Sequence, residues 1–366
     1  MDLISSTRLG GSLEVPVVQE LAKGSLTQLP ERYVHPDQEP PTIGSLPSQI
    51  PVIDFQTLIL CGDDGANRAQ EAAPCLRRLG LLSGNYLLIN HGVSFSLVEE
   101  VKVGIQEFFK LPLEEKKKFK QEAGDIEGYG QAFVVSEEQK LDWADLFYMV
   151  TLPTHLRKPH LFPNLPLPFR NTIEAYSAEL KTLAVKILGF MAKALKMQEG
   201  EMEGLFEEGM QSMRMNYYPP CPQPELAIGL SPHSDGTGLT IFLQVNEVEG
   251  LQIRKDGMWI PVMPLPNAFI VNVGDMLEIV TNGIYSSIEH RAVVCSEERL
   301  SIATFLSAKI DGDLGPAPSL LTAEAPARYK RMAVTDFFRV FFSQKLHGKS
   351  HLDAMRILQA REGQST

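Results

Sequence analysis

An antiparallel β-sandwich or barrel with flanking helices is the fold class that this sequence predicts. Two helical stripes run through the first half, and beyond Met213 the apolar period shortens from about 3.6 to about 2 residues. The segments so marked are short and lie between Gly, Pro and Asn turns at fairly regular spacing, which suits a closed antiparallel architecture better than a parallel doubly wound sheet. With 366 residues, 44% of them hydrophobic and 22% charged, the chain has a globular composition and enough length for a large core.

Residues 1–50 carry one amphipathic patch, Val15 to Leu21, and then the turn-rich stretch HPDQEPPTIGSLPSQI, an expected extension and connector. IPVIDF, from Ile50, reads as a short β-branched strand, the Ala-, Gln- and Glu-rich residues 66–79 as a helix, and YLLIN as a second buried strand. Val98 to Phe109 is apolar at positions 98, 101, 105, 108 and 109, one stripe of a helix. Ser177 to Leu195 repeats the pattern with Leu180, Leu183, Ile187, Leu188, Met191 and Leu195, so both helices should brace a sheet. The expected later strands are LTIFLQV (239–245), GLQIR (250–254), WIPV (259–262), AFIVNV (268–273), MLEIV (276–280), HRAVV (290–294) and LSIATF (300–305). The tail after Leu358 is polar and expected to be loose.

The net charge of −11 opposes phosphate backbones and anionic lipid, so neither nucleic acid nor a membrane surface is expected as a partner, and a small organic molecule is. Cys61, Cys75, Cys221 and Cys295 are too few and too scattered for a disulfide framework and read as reduced thiols. The first twenty residues lack a basic segment followed by an apolar one, no 18 apolar residues run together, and no Asn-X-Ser/Thr acceptor occurs; a cytoplasmic monomer is expected.

His233 and Asp235, in GLSPHSDGTGLTIFLQV, sit two apart at the mouth of a strand, where an extended chain sends both side chains to one face. His290, in SIEHRAVV, begins another expected strand, and a sandwich can fold it opposite the pair. Two imidazoles and one carboxylate that leave positions free suit a non-haem Fe(II) oxygenase. Taken singly, each histidine is more simply a polar residue at a strand end. Against that simpler reading stand Arg299 and Ser301 in ERLSIATF, also two apart on one strand face, a guanidinium fork and a hydroxyl placed to hold a carboxylate. A triad and a clamp together are a much rarer coincidence than either alone.

The run MRMNYYPPCPQPELAIGLSPHSD, with HRAVV and RLSIATF, closely resembles the plant Fe(II)- and 2-oxoglutarate-dependent dioxygenases, nearest the senescence-related-gene-type and alkaloid O-demethylase branch. The similarity runs from IPVIDF and INHGV through EEKKKF, QAFVVSEEQKLDWADLF, RKPHLFP and GLQIRKDGMWIPV to LDAMRI, nearly the whole chain. The resemblance implies a distorted double-stranded β-helix, a cupin-like jelly roll, after a helical N-terminal region. It divides the chain into an extension (1–50), a mixed α/β N-terminal dioxygenase region (51–205), the catalytic jelly roll (206–310) and a helical C-terminal segment with its tail (311–366). It also implies that His233, Asp235 and His290 hold iron, and that Arg299 and Ser301 bind the distal carboxylate of 2-oxoglutarate with a hydroxyl from Tyr218 and Asn216 alongside. Arg214, Phe305, Ser307, Phe147 and Tyr148 would face the substrate.

The implied reaction couples decarboxylation of 2-oxoglutarate by O₂, with ascorbate as reductant, to oxidation of an unactivated C–H bond in a planar specialised metabolite such as an alkaloid or phenylpropanoid. Hydroxylation, O-demethylation and desaturation stay open. So do two rivals, a zinc hydrolase on the same three ligands and a non-catalytic binding paralogue. The family commonly reads EWGFFQ where this chain has LSGNYL (82–87), so altered packing is expected there. Four signals are set aside: EEKKKFK (114–120) as a solvated helix face, His347 and His351 as tail residues, Gly128-Tyr-Gly130 and Gly236-Thr-Gly238 as incomplete dinucleotide fingerprints, and Cys221 as a structural thiol.

Overall fold

A computed structural model describes residues 10–24, 26–39, 50–62 and 84–357. The helix expected over 66–79 and the tail after Leu358 lie outside these residues. Along the chain run strands β1 (Val52–Asp54), β2 (Asn85–Ile89), β3 (Gly128–Gly130), β4 (Asp145–Leu152), β5 (Gln211–Tyr218), β6 (Leu230–His233) and β7 (Leu239–Gln244). They are followed by β8 (Leu251–Lys255), β9 (Met258–Pro261), β10 (Phe269–Val273), β11 (His290–Ala292), β12 (Arg299–Leu306), β13 (Asp313–Leu314) and β14 (Met332–Ala333). Eight form one sheet in the order β1-β2-β10-β7-β12-β5-β4-β3, four form a second in the order β6-β11-β8-β9, and β13 pairs with β14. Among the described strands only β1 and β2 run parallel to each other.

Alternation along the large sheet separates its two faces. Met213, Met215 and Tyr217 of β5, Ile241 and Leu243 of β7, and Leu300, Ile302 and Leu306 of β12 join a core that contains the long helices. The helix Phe169–Leu195 buries Ile173, Tyr176, Leu180, Leu183, Ile187, Leu188 and Met191 there, and Phe95–Lys110 buries Val98, Val101, Ile105, Phe108 and Phe109. The opposite face turns to the small sheet: Leu87, Phe242, Ile270 and Ala303 pack against Leu251, Ile253 and Ile260. Two sheets packed in this way make the distorted double-stranded β-helix, with its interior between them. The large sheet crosses residue 205, because β4 pairs with β5 over its whole length.

Three expectations need correction. MLEIV (276–280) is not a strand but most of the helix Asp275–Val280, all of it buried. A short run with no exposed position has no period to read, and its ends decide the outcome: Asp275 N–H donates to the Asp235 carbonyl at 2.7 Å and Met276 N–H to the Thr237 carbonyl at 3.1 Å. His347 and His351 are not tail residues but belong to a segment packed against β6. Gly348 bridges β6, its N–H donating to the Pro232 carbonyl at 2.8 Å while its own carbonyl accepts from Ser234 N–H at 3.2 Å, and His351 is buried against Phe341 with ring centroids 4.7 Å apart. Phe147 does not face the interior. Its neighbour Tyr148 does, and the pleat sends consecutive residues to opposite sides, so Phe147 stacks on Phe108 at 4.8 Å and meets Phe119 at 5.6 Å in the helical core.

Phe147→Ala should therefore act on stability, lowering the free energy of unfolding by about 3–5 kcal/mol in chemical denaturation. A loss below about 1 kcal/mol would contradict its place in the core.

Candidate metal centre and co-substrate pocket

His233 is the last residue of β6 and His290 the first of β11, and the two are direct partners across the ladder. Their ring centroids lie 4.2 Å apart. Asp235 sits on the short crossing from β6 to β7, with Oδ1 3.7 Å from Nε2 of His233 and 3.7 Å from Nε2 of His290. One ligand atom from each residue falls within 4.8 Å of the others, and all three side chains are buried. The crossing is tight because glycine permits it: a Cβ on Gly236 would lie 2.6 Å from the Phe341 ring.

Each donor atom is aimed by a neighbour. His233 Nδ1 lies 2.8 Å from the Ser231 carbonyl and His290 Nδ1 3.1 Å from the Ile288 carbonyl. A carbonyl only accepts, so both Nδ1 atoms carry the proton and both Nε2 lone pairs point into the site. Thr240 Oγ1 donates to Asp235 Oδ2 at 2.6 Å, which holds the carboxylate and leaves Oδ1 facing the imidazoles. Burial, and then the nearby His290, push the His233 pKa well below the usual histidine value, so this ring stays neutral and ready to ligate.

Arg299 and Ser301 lie on β12, directly opposite Tyr218 and Asn216 of β5 and on the interior face. Arg299 is 2% exposed; Nη2 donates to Gln244 Oε1 at 2.9 Å, while Nε and Nη1 have no hydrogen-bond partner among the described residues. Its guanidinium lies 5.0 Å from the Tyr218 ring and 5.8 Å from the Phe242 ring. A Cβ on Gly250 would come within 2.7 Å of Arg299 Cδ, so glycine makes the space for this side chain. Asn216 Nδ2 donates to Ser301 Oγ at 3.3 Å, and Asn216 Oδ1 accepts from Arg214 Nε at 2.7 Å. A buried cation with two idle donors is costly without an anion, and a carboxylate fits it.

One cavity joins the two groups. His233, Asp235, His290, Arg299, Tyr218 and Asn216 line it together with Arg214, Phe305 and Tyr148. Ser301 is not among the residues lining it and is fully buried behind Asn216, whose Nδ2 donates to its Oγ. Phe147 and Ser307 do not line it: Ser307 lies just past the end of β12, fully buried against Gly209. Sequence reasoning missed Phe133, Phe242, Phe341, Phe342, Asn272 and the supports Thr240 and Gln244. The period of β7 and β10 would have put Thr240, Phe242, Gln244 and Asn272 on the interior face. For Phe133, Phe341 and Phe342 no local signal existed, since they reach the cavity from outside the two sheets. Asn85, from the unusual LSGNYL segment, is the ladder partner of the lining residue Asn272 and donates to its side-chain oxygen. Cys221 is buried, which pushes its thiol pKa up to about 11, as befits an inert structural group.

Two imidazoles and a carboxylate converging on one point, beside a buried arginine with unfilled donors, define a non-haem metal site with an anion-binding arm, the class to which keto-acid-dependent oxygenases belong. Residues 209–308 match the family model of the 2OG-Fe(II) oxygenase superfamily, and residues 50–165 that of the N-terminal region of non-haem dioxygenases in morphine synthesis. The chain is 57% identical to oxoglutarate-dependent flavonoid 7-O-demethylase 1 of Ocimum basilicum, over 97% of this chain and 95% of that one. It is 50% identical to codeine O-demethylase of Papaver somniferum, over 96% and 98%. Among solved structures, JOX2 in complex with 2OG, Fe and JA matches with a TM-score of 0.82 and 36% identity, over 94% of this chain and 98% of that one. The chain belongs to the 2OG-Fe(II) oxygenase family and is a 2-oxoglutarate-dependent dioxygenase that uses Fe(II). The zinc-hydrolase and non-catalytic alternatives are not favoured. No helix among the described residues is long and apolar enough to cross a membrane.

The His233 ring should remain neutral in metal-free protein through pH 6.5, where an ordinary histidine is half protonated. Histidine-ring NMR titration, with the resonance assigned by its loss in His233→Ala, checks this, and a midpoint at or above 6.5 would contradict it.

Proposed function

We propose that His233 and His290 ligate Fe(II) through Nε2 and Asp235 through Oδ1, that Arg299 and Ser301 bind the far carboxylate of 2-oxoglutarate, and that Tyr218 and Asn216 complete that cradle. The reaction proposed is O-demethylation of a planar aromatic methyl ether, a flavonoid or alkaloid in kind. The observation that carries this reading is the half-satisfied Arg299 guanidinium, buried on the same cavity as the triad. The direction of chemistry is supported by the relatives named as flavonoid 7-O-demethylase and codeine O-demethylase. An acidic chain with a small-molecule pocket fits a cytoplasmic monomer that binds neither nucleic acid nor membrane. Within it, residues 206–310 form the catalytic part and 51–205 the supporting region.

Iron held by His233, Asp235 and His290 would supply, with the keto acid and O₂, the power to oxidise a methyl C–H bond of the substrate, one oxygen atom entering that bond and the other leaving in succinate as CO₂ is lost. The hemiacetal so formed collapses to a phenol and formaldehyde. The chain's own part is geometric. The two imidazoles are aimed by the Ser231 and Ile288 carbonyls, which hold Nδ1 of each ring and turn Nε2 toward the site. The Arg299 fork fixes the orientation of the keto acid, as charge-assisted bidentate bonds do. Phe133, Tyr148, Phe242, Phe305, Phe341 and Phe342 present ring faces and edges to a flat substrate and keep water from the oxidising centre. Arg214, tied at Nε to Asn216, places a cation where that substrate meets the keto-acid cradle.

Incubation with Fe(II), 2-oxoglutarate and ascorbate against a panel of methoxylated flavonoids and alkaloids should give a product lighter by one methylene, with formaldehyde and succinate in equal amounts. A product heavier by one oxygen would replace demethylation with hydroxylation, and one lighter by two hydrogens would replace it with desaturation. His233→Ala, Asp235→Ala and His290→Ala should each abolish succinate release without changing the far-ultraviolet circular dichroism.

Arg299→Gln should raise the KM for 2-oxoglutarate at least tenfold, since a charge-assisted bond of this kind contributes about 1.5–3 kcal/mol. Metal affinity measured without the keto acid should stay as in the parent. A large loss of metal binding would instead make Arg299 a structural support of the triad.

A further inference from the structure

We propose that Asp142, contributed by the N-terminal half of the chain, is a positioning residue for His233 and acts through Ser231. The inference rests on the reading of His233 as a metal ligand. Its origin is an irregularity in the small sheet. The β6–β11 ladder pairs His233 with His290 and Leu230 with Ala292, so Ser231 and Pro232 together face the single residue Arg291. This bulge inserts one extra residue just before the ligand, a device that re-aims a side chain at the cost of ladder hydrogen bonds.

Every polar group that the bulge strips from the ladder is used elsewhere. Pro232 has no N–H, and its carbonyl accepts from Gly348 N–H at 2.8 Å. The Ser231 carbonyl accepts from His233 Nδ1 at 2.8 Å. Ser231 N–H donates to Asp142 Oδ2 at 3.1 Å and Ser231 Oγ donates to Asp142 Oδ1 at 2.6 Å. Asp142 thus grips Ser231 at two points, one on each carboxylate oxygen, and fixes the peptide whose carbonyl sets the tautomer and rotation of the ligand ring. His290 has a carbonyl partner of the same kind in Ile288, but its ring is placed by regular pairing with β8, where it faces Ile253.

Asp142 itself is anchored on both sides. Leu141 N–H donates to the Arg32 carbonyl at 2.7 Å, and Trp143 N–H to the Ile228 carbonyl at 2.7 Å. The Trp143 indole, fully buried, donates to the Pro219 carbonyl at 3.2 Å. The carboxylate therefore sits on a rigid rail beside the start of β6. An aspartate fits because Ser231 offers two donors and both need an acceptor; an amide of the same shape presents one acceptor oxygen and one NH₂ group that faces a donor.

The test is metal binding by the full-length apo chain, read with Co(II), whose visible d–d bands report ligand geometry. Asp142→Asn should weaken Co(II) binding about 10–100-fold, the usual effect of losing a group that orients a ligand, and shift the bands of the saturated protein. Ser231→Ala keeps the backbone N–H and loses only the hydroxyl, so a smaller weakening of several-fold in the same direction is expected. Both variants should keep the parent circular dichroism. A lower Tm with unchanged Co(II) affinity and bands in Asp142→Asn means a merely structural role and overturns the proposal. If Asp142→Asn does not fold, Ser231→Ala decides, and parent-like Co(II) binding in it overturns the proposal. His233→Ala binding Co(II) like the parent would overturn the ligand reading and this proposal with it; loss of cobalt in His233→Ala with normal binding in the other two variants overturns this proposal alone.

Discussion

The two-residue period of the central strands is the constraint on which everything else in this molecule depends. On β12 it sends Leu300, Ile302 and Leu306 into the helical core and Arg299, Ser301, Ala303 and Phe305 into the interior. The same parity, transmitted through the β5 ladder, sets Tyr218, Asn216, Arg214 and Ser212 opposite them. One face is thus held by the burial of methionines, leucines and isoleucines against two long helices, and the other is free to carry polar groups. A register slip of one residue would exchange the two faces, burying the arginine in the helical core and turning the apolar residues toward the metal.

The interior face contains charged groups that a core would not tolerate, and the structure limits their cost locally. Asp235 has Thr240 on one oxygen. His233 and His290 give their Nδ1 protons to backbone carbonyls. Among the described residues Arg299 has a hydrogen-bond partner at Nη2 alone, and its remaining donors define where an anion belongs. A buried polar network that is complete rigidifies a protein; one left incomplete at a single point specifies a ligand.

Features encoded by short-range pattern were legible in the sequence. The stripe at 98, 101, 105, 108 and 109 is the buried face of Phe95–Lys110, and the two-residue spacings His233/Asp235 and Arg299/Ser301 put both members of each pair at the site. Phe147 and Tyr148 were read as neighbours in the pocket although strand parity admits only one of them. The helix Asp275–Val280 was hidden because six consecutive buried residues show neither period. The supports were hidden for another reason. Asp142 reaches Ser231 across 89 residues, and Gly348 reaches the two sides of His233 from still farther along the chain. No local pattern marks a partner at that distance.

The strand order has a consequence for how the chain is made. β12 is the last strand of the large sheet to leave the ribosome, yet it lies in the middle of that sheet, between β7 and β5. Until residue 306 is synthesised, β5 and β7 each present an open edge, and β3, β4 and β5 cannot be joined to β1, β2, β7 and β10. Exposed edges of that kind invite pairing with other chains. Co-translational assembly is therefore confined to two half-sheets that wait for one strand, and that strand is the one carrying Arg299 and Ser301. Completion of the large sheet and arrival of the buried Arg299, with its unfilled donors, are a single event in the life of the nascent chain.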